Sequence, residues 1–285
     1  MSDKNPVLSI AYCLETDRFE AARTAHLHQK DTFYCPKCHI LVTPARSCKH
    51  NYFFRALKIL HDTNCRYHKE PTEATGTSTP KAGDPIDQPL LIPNFLGKIK
   101  RIPRIGRPDP AELAALIARA QKLPVLVQGT LEAVADAWSS LSFAERRKEF
   151  LTINDVNRSY SENFNSIDNN DYNLDTFDWD GKIIHGDGKL TKGSAKGYYF
   201  VNCYRKFVIN GEIFPLNITL GPEFTETYKK YSLCDLIHGK VKIFLHGCRP
   251  VFNPERRCLT VTLPKDLYQF VFAMTHEPSR AIRGT

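Results

Sequence analysis

The sequence predicts an α+β protein of several domains, with a small cysteine- and histidine-rich module first, a short helical block next, and an antiparallel β-rich domain last. Three observations lead to this class. Cysteines and histidines cluster within the first 68 residues, helix-start signals fall between residues 109 and 145, and short apolar runs separated by turn residues fill the chain from residue 182 onward. The 285 residues and the 42% apolar content suffice for two domains.

The best domain boundary is a polar stretch after the N-terminal module. This stretch is rich in Pro, Thr, Ser, Gly, Glu and Asp and has Ile86 as its one large apolar residue, so it cannot bury enough surface to offset the entropy of ordering. The predicted organisation is 1–68 for the module, 69–88 for a flexible linker, 89–152 for a basic segment and helical block, and 153–285 for the β-rich domain.

Three helices are predicted in the middle of the chain. Asp109 is an N-cap residue with Pro110 at the first helical position. Thr130 begins a second helix, and Ser142 begins a third that reaches about Leu151. The apolar face of the first helix is Leu113, Leu116, Ile117 and Ala120.

Short strands are predicted throughout the C-terminal half. The candidates are residues 182–185, 197–203, 206–209, 213–220, 240–245, 258–263 and 268–273. Asn210-Gly211 is a hairpin signal, and we interpret Gly186-Asp187-Gly188 as another turn. This pattern predicts an antiparallel sheet curled into a small barrel or a sandwich, and an OB-like barrel is one such form.

A set of potential metal ligands lies in the N-terminal module. Cys35 and Cys38 enclose a two-residue knuckle, and His61 and Cys65 follow four residues apart. Cys-x2-Cys followed at this distance by a histidine and another cysteine is typical of tetrahedral Zn2+ sites. If residues 61–65 are helical, their spacing places both downstream ligands on one face. Three thiolates and one imidazole leave no open position, so we expect a structural metal.

Two other interpretations of these residues stay open. Cys35 and Cys38 can form a thioredoxin-like redox pair, although such a pair opens a helix, and the following Leu-Val-Thr-Pro favours a strand and a turn. The residues can also be unconnected reduced thiols. Ligand identity is also open, because Cys48, His50 and His68 are close in sequence and His68 can replace either downstream ligand.

The order of these residues resembles a known family. Tyr-Cys-Pro-x-Cys-His at 34–39, Leu-Val at 41–42 and Phe-Phe-Arg at 53–55, followed by a His and a Cys, are similar to the N-terminal zinc-finger-like module of competence CoiA-like proteins. The resemblance covers about residues 8–68. In that family the module precedes a nuclease or another effector domain, so the resemblance implies DNA-related work. Carried over by residue, it implies Cys35, Cys38, His61 and Cys65 as ligands; of the family's His-Phe-x-His, only the second histidine has a counterpart here.

No catalytic motif is recognised elsewhere in the chain. A PD-(D/E)xK nuclease needs an acid-x-Lys on a strand to hold Mg2+, and none follows Glu212 or Glu223. Neither a Gly-x-Ser-x-Gly elbow nor a Gly-x4-Gly-Lys-Ser/Thr loop occurs. These observations favour a role without catalysis.

A second group of cysteines and histidines offers an alternative site. Cys234 and His238, followed by His246, Cys248 and Cys258, can hold a second metal or supply a Cys–His nucleophile. Leu233, Leu236 and Ile237 surround the first two of these residues in sequence. We therefore favour buried cysteines that behave as small apolar side chains.

Basic and aromatic residues are interleaved between residues 182 and 207, with Asp187 as the one acid. Exposed aromatics on a curved sheet stack bases while lysines neutralise phosphates, but the same alternation fits an aromatic core face and a solvated lysine face. Residues 94–107 form another basic segment without acids. The candidate nucleic-acid-binding residues are Lys98, Lys100, Arg101, Arg104, Lys189, Lys192, Lys196, Tyr199, Arg205 and Lys206.

The favoured function is therefore a zinc-containing nucleic-acid-binding protein, a recognition or accessory subunit of a DNA-processing or defence assembly. The formal charge of +8 is compatible with an anionic partner. The rival is a protein-interaction adaptor that docks through residues 98–107 and the acidic span 168–180, and a cryptic nuclease is a third hypothesis. No segment approaches the roughly 18 apolar residues of a membrane span, and clustered cysteines fit reduced thiols, so we expect a cytoplasmic protein without membrane contact.

Overall fold

The computed structural model describes residues 7–47, 52–56, 61–68, 91–103, 106–168, 173–222, 237, 239–261, 263 and 272–276. The chain divides into two compact units: unit 1 comprises Met1–Pro93 and Lys98–Gln128, and unit 2 comprises Asn94–Gly97 and Gly129–Thr285. The segment predicted as one helical block is shared between the units, since its first helix lies in unit 1 and the next two lie in unit 2. The predicted linker 69–88 lies outside the described residues.

The described residues of unit 1 form a five-stranded antiparallel sheet and two helices. Its elements are β1 (Ile10–Cys13), β2 (Arg18–Ala21), α1 (Ala22–His26), β3 (Phe33–Tyr34), β4 (Leu41–Arg46), β5 (Tyr52–Ala56) and α2 (Pro110–Ala120). The strand order is β2-β1-β3-β4-β5, so pairing of β1 with β3 joins the hairpin β1–β2 to the consecutive strands β3, β4 and β5 in one sheet.

Helix α2 confirms the predicted helix start and the predicted apolar face. The side chain of Asp109 accepts a hydrogen bond from the backbone N–H of Glu112 at 2.8 Å, which satisfies one of the unpaired donors of the first turn. The predicted face packs onto residues of the first strands in one cluster. The buried members of this cluster are Tyr12, Leu14, Phe19, Tyr34, Leu113, Leu116, Ile117 and Ala120.

Unit 2 begins with short elements that form a small mixed sheet and three helices. The chain crosses from unit 1 within β7 (Gln128–Gly129). The other elements are β6 (Phe95–Leu96), α3 (Leu131–Ser140), α4 (Phe143–Lys148), β8 (Phe150–Ile153), β9 (Val156–Ser159), α5 (Tyr160–Asn163) and a 3₁₀ turn at Leu174–Thr176. Thr130 and Ser142 cap α3 and α4 as predicted. Helix α4 ends at Lys148 rather than near Leu151, because the chain turns at Glu149 into β8.

A large sheet forms the rest of unit 2. Its strands are β10 (Phe164–Ser166), β11 (Ile183–Lys192), β12 (Tyr199–Ile209), β13 (Glu212–Leu220), β14 (Lys240–Leu245), β15 (Val251–Asn253), β16 (Cys258–Val261) and β17 (Phe272–His276). The order is β15-β16-β13-β12-β11-β14-β17, with β10 parallel to β11. Over these described strands the sheet is open, so a closed barrel is the wrong form, whereas a mixed α and β fold with mainly antiparallel sheets is confirmed.

One face of the large sheet forms the core of unit 2. Along β13, Phe214, Leu216, Ile218 and Leu220 are buried, and the residues between them are half-buried. Phe177 and Trp179 pack in the same cluster as these side chains. The other face therefore carries the residues that alternate with the core.

Two predictions about the strands of this sheet need correction. Gly186 and Gly188 lie inside β11 and not in a turn. A Cβ at Gly188 would lie 2.9 Å from the carbonyl oxygen of Asn202, and one at Gly186 would lie 2.3 Å from Ile167, so close packing and not turn formation requires glycine here. The two short strands predicted at 197–203 and 206–209 form one strand, β12, with an irregular register between Asn202 and Lys206.

Within the part of the chain that the structure describes, no helix has both the length and the apolar content needed to cross a membrane.

Candidate metal centre and basic sheet face

The hairpin between β3 and β4 positions the first two candidate ligands. Cys35 follows β3 directly, its N–H donates to the carbonyl of Ile40 at 2.9 Å, and the N–H of His39 donates to the carbonyl of Cys35 at 3.0 Å. His39 adopts a left-handed conformation, with φ of 58°. These bonds close a tight knuckle that points the thiols of Cys35 and Cys38 to one side.

The structure brings the four predicted ligands together. The two sulfurs of Cys35 and Cys65 lie 3.9 Å apart. The Nδ1 atom of His61 lies 3.2 Å from the sulfur of Cys38 and 3.6 Å from that of Cys65. All four ligand atoms lie within 4.8 Å of one another. A tetrahedral zinc ion with ordinary bond lengths requires ligand separations of about 3.8 Å between sulfurs and about 3.6 Å between sulfur and nitrogen.

The downstream pair reaches this cluster without a helix. Residues 61–68 form turns, and the N–H of Cys65 donates to the carbonyl of Asp62 at 2.8 Å. The helical arrangement considered for residues 61–65 is therefore not the one that forms, although both side chains still converge. A tight turn places residues four apart on the same side, as one turn of helix would.

Burial shapes the protonation of this cluster. Cys35 and Cys65 are buried, and burial raises the pKa of Cys35 to about 12 and also raises the pKa of Cys65. Burial lowers the pKa of His61, helped by the charge of His68. Without a cation, the buried groups therefore prefer to be neutral. A divalent metal supplies the positive charge that converts such thiols into thiolate ligands.

The donor set determines what the cluster can do. Three soft sulfur donors and one imidazole nitrogen fit Zn2+ better than hard cations such as Mg2+ or Ca2+, which require oxygen. The four residues would fill all positions of a tetrahedral ion. Such a centre stabilises a fold and has no position for a substrate.

Neighbouring cysteines and histidines are arranged differently. His68 lies outside the ligand group, and its Nδ1 is hydrogen-bonded to the carbonyl of His61. Cys48 and His50 lie outside the described residues, as do Cys234 and His238. In unit 2, Cys248 and Cys258 are buried, and His246 bonds to the carbonyl of Lys182 at 3.2 Å. Within the described part of unit 2, His246, Cys248 and Cys258 do not form a metal-ligating group.

A second group in unit 1 combines Cys13, Glu15 and Asp31, whose ligand atoms lie within 4.8 Å of one another. The guanidinium of Arg101 pairs with Asp31 and lies 3.6 Å from the sulfur of Cys13. It also lies 3.1 Å from the carboxylate of Glu20, which has no exposed surface. An arginine side chain thus already supplies the cation of this group.

This ion-pair network changes the interpretation of the basic segment 94–107. Lys98 and Lys100 are exposed, as a contact with nucleic acid requires. Arg101 is turned into unit 1, and its side chain is only 14% exposed. Its predicted role as a nucleic-acid contact is therefore in conflict with its position. Arg104 lies outside the described residues.

The nucleic-acid-binding residues predicted on β11, on β12 and between them differ in exposure. Tyr199 is 9% exposed and belongs to the core cluster, so its position conflicts with its predicted role as a nucleic-acid contact. Arg205 is half-buried within the irregular part of β12. The exposed members of the predicted set are Lys189, Lys192, Lys196 and Lys206.

The face opposite the core carries polar residues in register across five strands. Lys189 of β11 pairs with Lys240 of β14 on one side and with Asn202 of β12 on the other. Asn202 pairs with Asn217 of β13, which pairs with Thr260 of β16. We call these five residues the polar row. Neighbouring strands are about 4.8 Å apart, so the polar row extends about 19 Å.

Sequence reasoning missed the acid beside the polar row. Asp187 and Lys189 form an acid-x-Lys on one strand, and the search for this motif covered only Glu212 and Glu223. The spacing of two residues on a strand was the available signal. Both carboxylate oxygens of Asp187 are engaged, one by Lys242 at 2.8 Å and one by Lys240 at 3.0 Å.

Comparisons with family models, with curated proteins and with solved structures each find no match for this chain.

Proposed function

We propose that this chain is a zinc-containing nucleic-acid-binding protein in which the metal stabilises unit 1 and takes no part in chemistry. The four-ligand group of Cys35, Cys38, His61 and Cys65 is the observation that carries the zinc assignment. When bound, zinc contributes folding free energy and holds the knuckle against residues 61–65. The similarity of this module to competence CoiA-like proteins supports a DNA-related setting, including a recognition or accessory role in a processing or defence assembly.

The polar row supports nucleic acid as the partner. It lies on the sheet face away from the core, and Lys206 and the exposed ring of Tyr204 lie farther along β12, the strand that contributes Asn202. Lysines neutralise phosphates, amides and hydroxyls donate hydrogen bonds to phosphates and bases, and exposed aromatics stack on bases. A sheet face with all three is suited to a nucleic-acid strand.

Native purification followed by mass spectrometry tests this function in one experiment. We expect one zinc per chain and co-purifying nucleic acid that is released by salt, because phosphate contacts weaken steeply with ionic strength. Less than half an equivalent of zinc would contradict the metal assignment. A zinc-loaded chain that retains no DNA or RNA at low salt would contradict the nucleic-acid assignment.

One observation favours the alternative of a protein-interaction adaptor. Val208 and Ile213 are opposite each other in register and are 38% and 64% exposed. On edge strand β15, Val251 is 65% exposed. Exposed apolar groups of this kind suit a protein partner. Salt-tolerant capture of a protein, without nucleic acid, would support this alternative, and Ile213→Ser would abolish the capture.

A further inference from the structure

Two lysines face each other directly on the exposed side of the large sheet. Lys189 of β11 and Lys240 of β14 are register partners, so their Cβ atoms are separated by about 5 Å. Like charges directly opposite each other destabilise a sheet. Local arrangements that cost stability concentrate at functional sites, and the concentrated positive charge of this pair therefore suits an anionic ligand.

Asp187 compensates this charge only in part. Lys242 is the register partner of Asp187 and donates to its Oδ1 atom at 2.8 Å, while Lys240 lies 3.0 Å from its Oδ2 atom. The cluster thus carries three lysines and one carboxylate, a formal charge of +2. Asp168 and Arg205 are close enough to interact electrostatically with this cluster, and their opposite formal charges leave the sum at +2; burial, followed by the charge of Asp187, raises the pKa of Asp168.

The neighbours of this cluster are those that a nucleotide chain would use. Asn202 flanks Lys189 on the side away from Lys240, and its amide donates to the hydroxyl of Thr191 at 3.0 Å. Phe200, the register partner of Thr191, is half-buried on the same face. Tyr204 follows in the irregular part of β12 and is 54% exposed. Aromatic rings within reach of a lysine cluster favour unstacked bases over a closed duplex.

We infer that Lys189, Lys240 and Lys242 bind one phosphate of a single-stranded nucleic acid, and that Asp187 occupies their positive charge when the strand is absent. This inference rests on the proposed function and assigns the contact surface to one cluster. In the free protein the carboxylate orients Lys240 and Lys242. On binding, a phosphodiester replaces part of the interaction that the carboxylate makes. Asp187 is therefore a positioning residue that competes with the ligand.

Because Asp187 competes with the ligand, removal of its charge is expected to increase the affinity. We would measure binding of a fluorescein-labelled oligothymidylate to the full zinc-loaded chain at several salt concentrations. A length of about 20 nucleotides exceeds the roughly 4–16 nucleotides that one OB fold covers. Asp187→Asn is expected to tighten binding about threefold, since it removes both internal ion pairs of the carboxylate without removing a lysine. Lys189→Gln is expected to weaken binding about fivefold and to reduce the salt slope by about 0.7.

Matched controls separate the cluster from general charge. Lys148→Gln removes an exposed lysine of α4 in the same unit, and we expect little change in affinity. Lys189→Arg keeps the charge and is expected to restore binding. Thermal unfolding followed by tryptophan fluorescence checks each variant, because Trp138 and Trp179 both belong to unit 2.

The outcomes distinguish the inference from the function on which it rests. Absence of binding by the unmodified chain would contradict the proposed function and this inference with it. If the unmodified chain binds and Lys189→Gln and Lys148→Gln weaken that binding equally, only the inference is overturned. Weaker binding by folded Asp187→Asn would also overturn it, and tighter binding of a duplex of equal length would overturn the single-strand assignment.

Discussion

The guanidinium of Arg101 lies 3.1 Å from the carboxylate of Glu20, a side chain with no exposed surface. Glu20 also accepts a hydrogen bond from the hydroxyl of Thr16 at 2.8 Å. A buried carboxylate is tolerated only when a cation and hydrogen bonds replace the water that it has lost. The segment that begins at Lys98 is thus joined to the rest of unit 1 through the ion pairs of Arg101 with Glu20 and Asp31.

Removal of Arg101 is expected to destabilise unit 1 strongly. Arg101→Met leaves Glu20 without its cation and should lower the free energy of unfolding by about 3–5 kcal/mol, measured by urea denaturation with circular dichroism. Lys100→Met is the matched control, because Lys100 is exposed and should change the stability by less than about 0.5 kcal/mol. Equal effects of the two substitutions would contradict the role of the ion pair.

His61 and His68 should differ in their effect on metal content. His61 contributes a nitrogen to the ligand group, whereas the Nδ1 atom of His68 bonds to a carbonyl. We expect His61→Ala to lose most of the zinc and His68→Ala to retain about one equivalent, both measured by elemental analysis after dialysis. If His61→Ala retains zinc and His68→Ala loses it, His68 and not His61 is the ligand.

Unit 2 is expected to lose stability in mild acid. Burial lowers the pKa of His185 to about 4, with a further contribution from the charge of Lys242. An unfolded histidine has a pKa of about 6.5, so the unfolded chain binds more protons between these values and stability falls as the pH decreases from 6.5 to 4. The loss from this residue amounts to about 3 kcal/mol.

Tryptophan fluorescence can follow this acid effect in urea at pH 7 and at pH 4.5. The pKa of His246 is lowered in the same direction, so His185→Gln should reduce the pH dependence without abolishing it. An unchanged dependence in His185→Gln would contradict the assignment. Both tryptophans belong to unit 2, so the fluorescence reports on that unit.

Gly188 should tolerate no side chain. A Cβ there would lie 2.9 Å from both the carbonyl oxygen of Asn202 and Cγ1 of Val201, so backbone and core would have to shift. Gly188→Ala is expected to cost about 1–3 kcal/mol by overpacking, measured by urea unfolding. Ser194→Ala, at an exposed position, is the control. A neutral Gly188→Ala would show that β12 moves freely.

Local signals predicted helices well and strand details less well. The caps Asp109, Thr130 and Ser142 act through hydrogen bonds three residues away, so the sequence contains the whole interaction. The turn predicted at Gly186 and Gly188 is wrong, because glycine is required there by the close approach of Ile167 and Asn202. These residues are distant in sequence or lie on another strand. Local sequence cannot distinguish a glycine that turns the chain from one that admits a neighbour.

The grouping of the four candidate metal ligands was predictable from the sequence, whereas the exposed face of the sheet was not. Spacing alone grouped Cys35, Cys38, His61 and Cys65, since tetrahedral coordination restricts which spacings work. The alternation of residues could not show whether Tyr199 or its lysine neighbours face the core, because a period of two fits either face. The side became clear only from the residues that pack against it, Phe177 and Trp179 among them.

The packing of α2 determines when unit 1 can be complete during synthesis. Tyr12, Phe19 and Tyr34 form one cluster with Leu116 and Ile117, residues about a hundred positions later. A fragment that stops after Cys65 would leave this apolar surface in water whether or not the Cys35–Cys65 group holds a metal. On the ribosome, the metal knuckle can therefore form well before the unit is shielded. The smallest piece suitable for expression in isolation ends near Gln128, beyond α2.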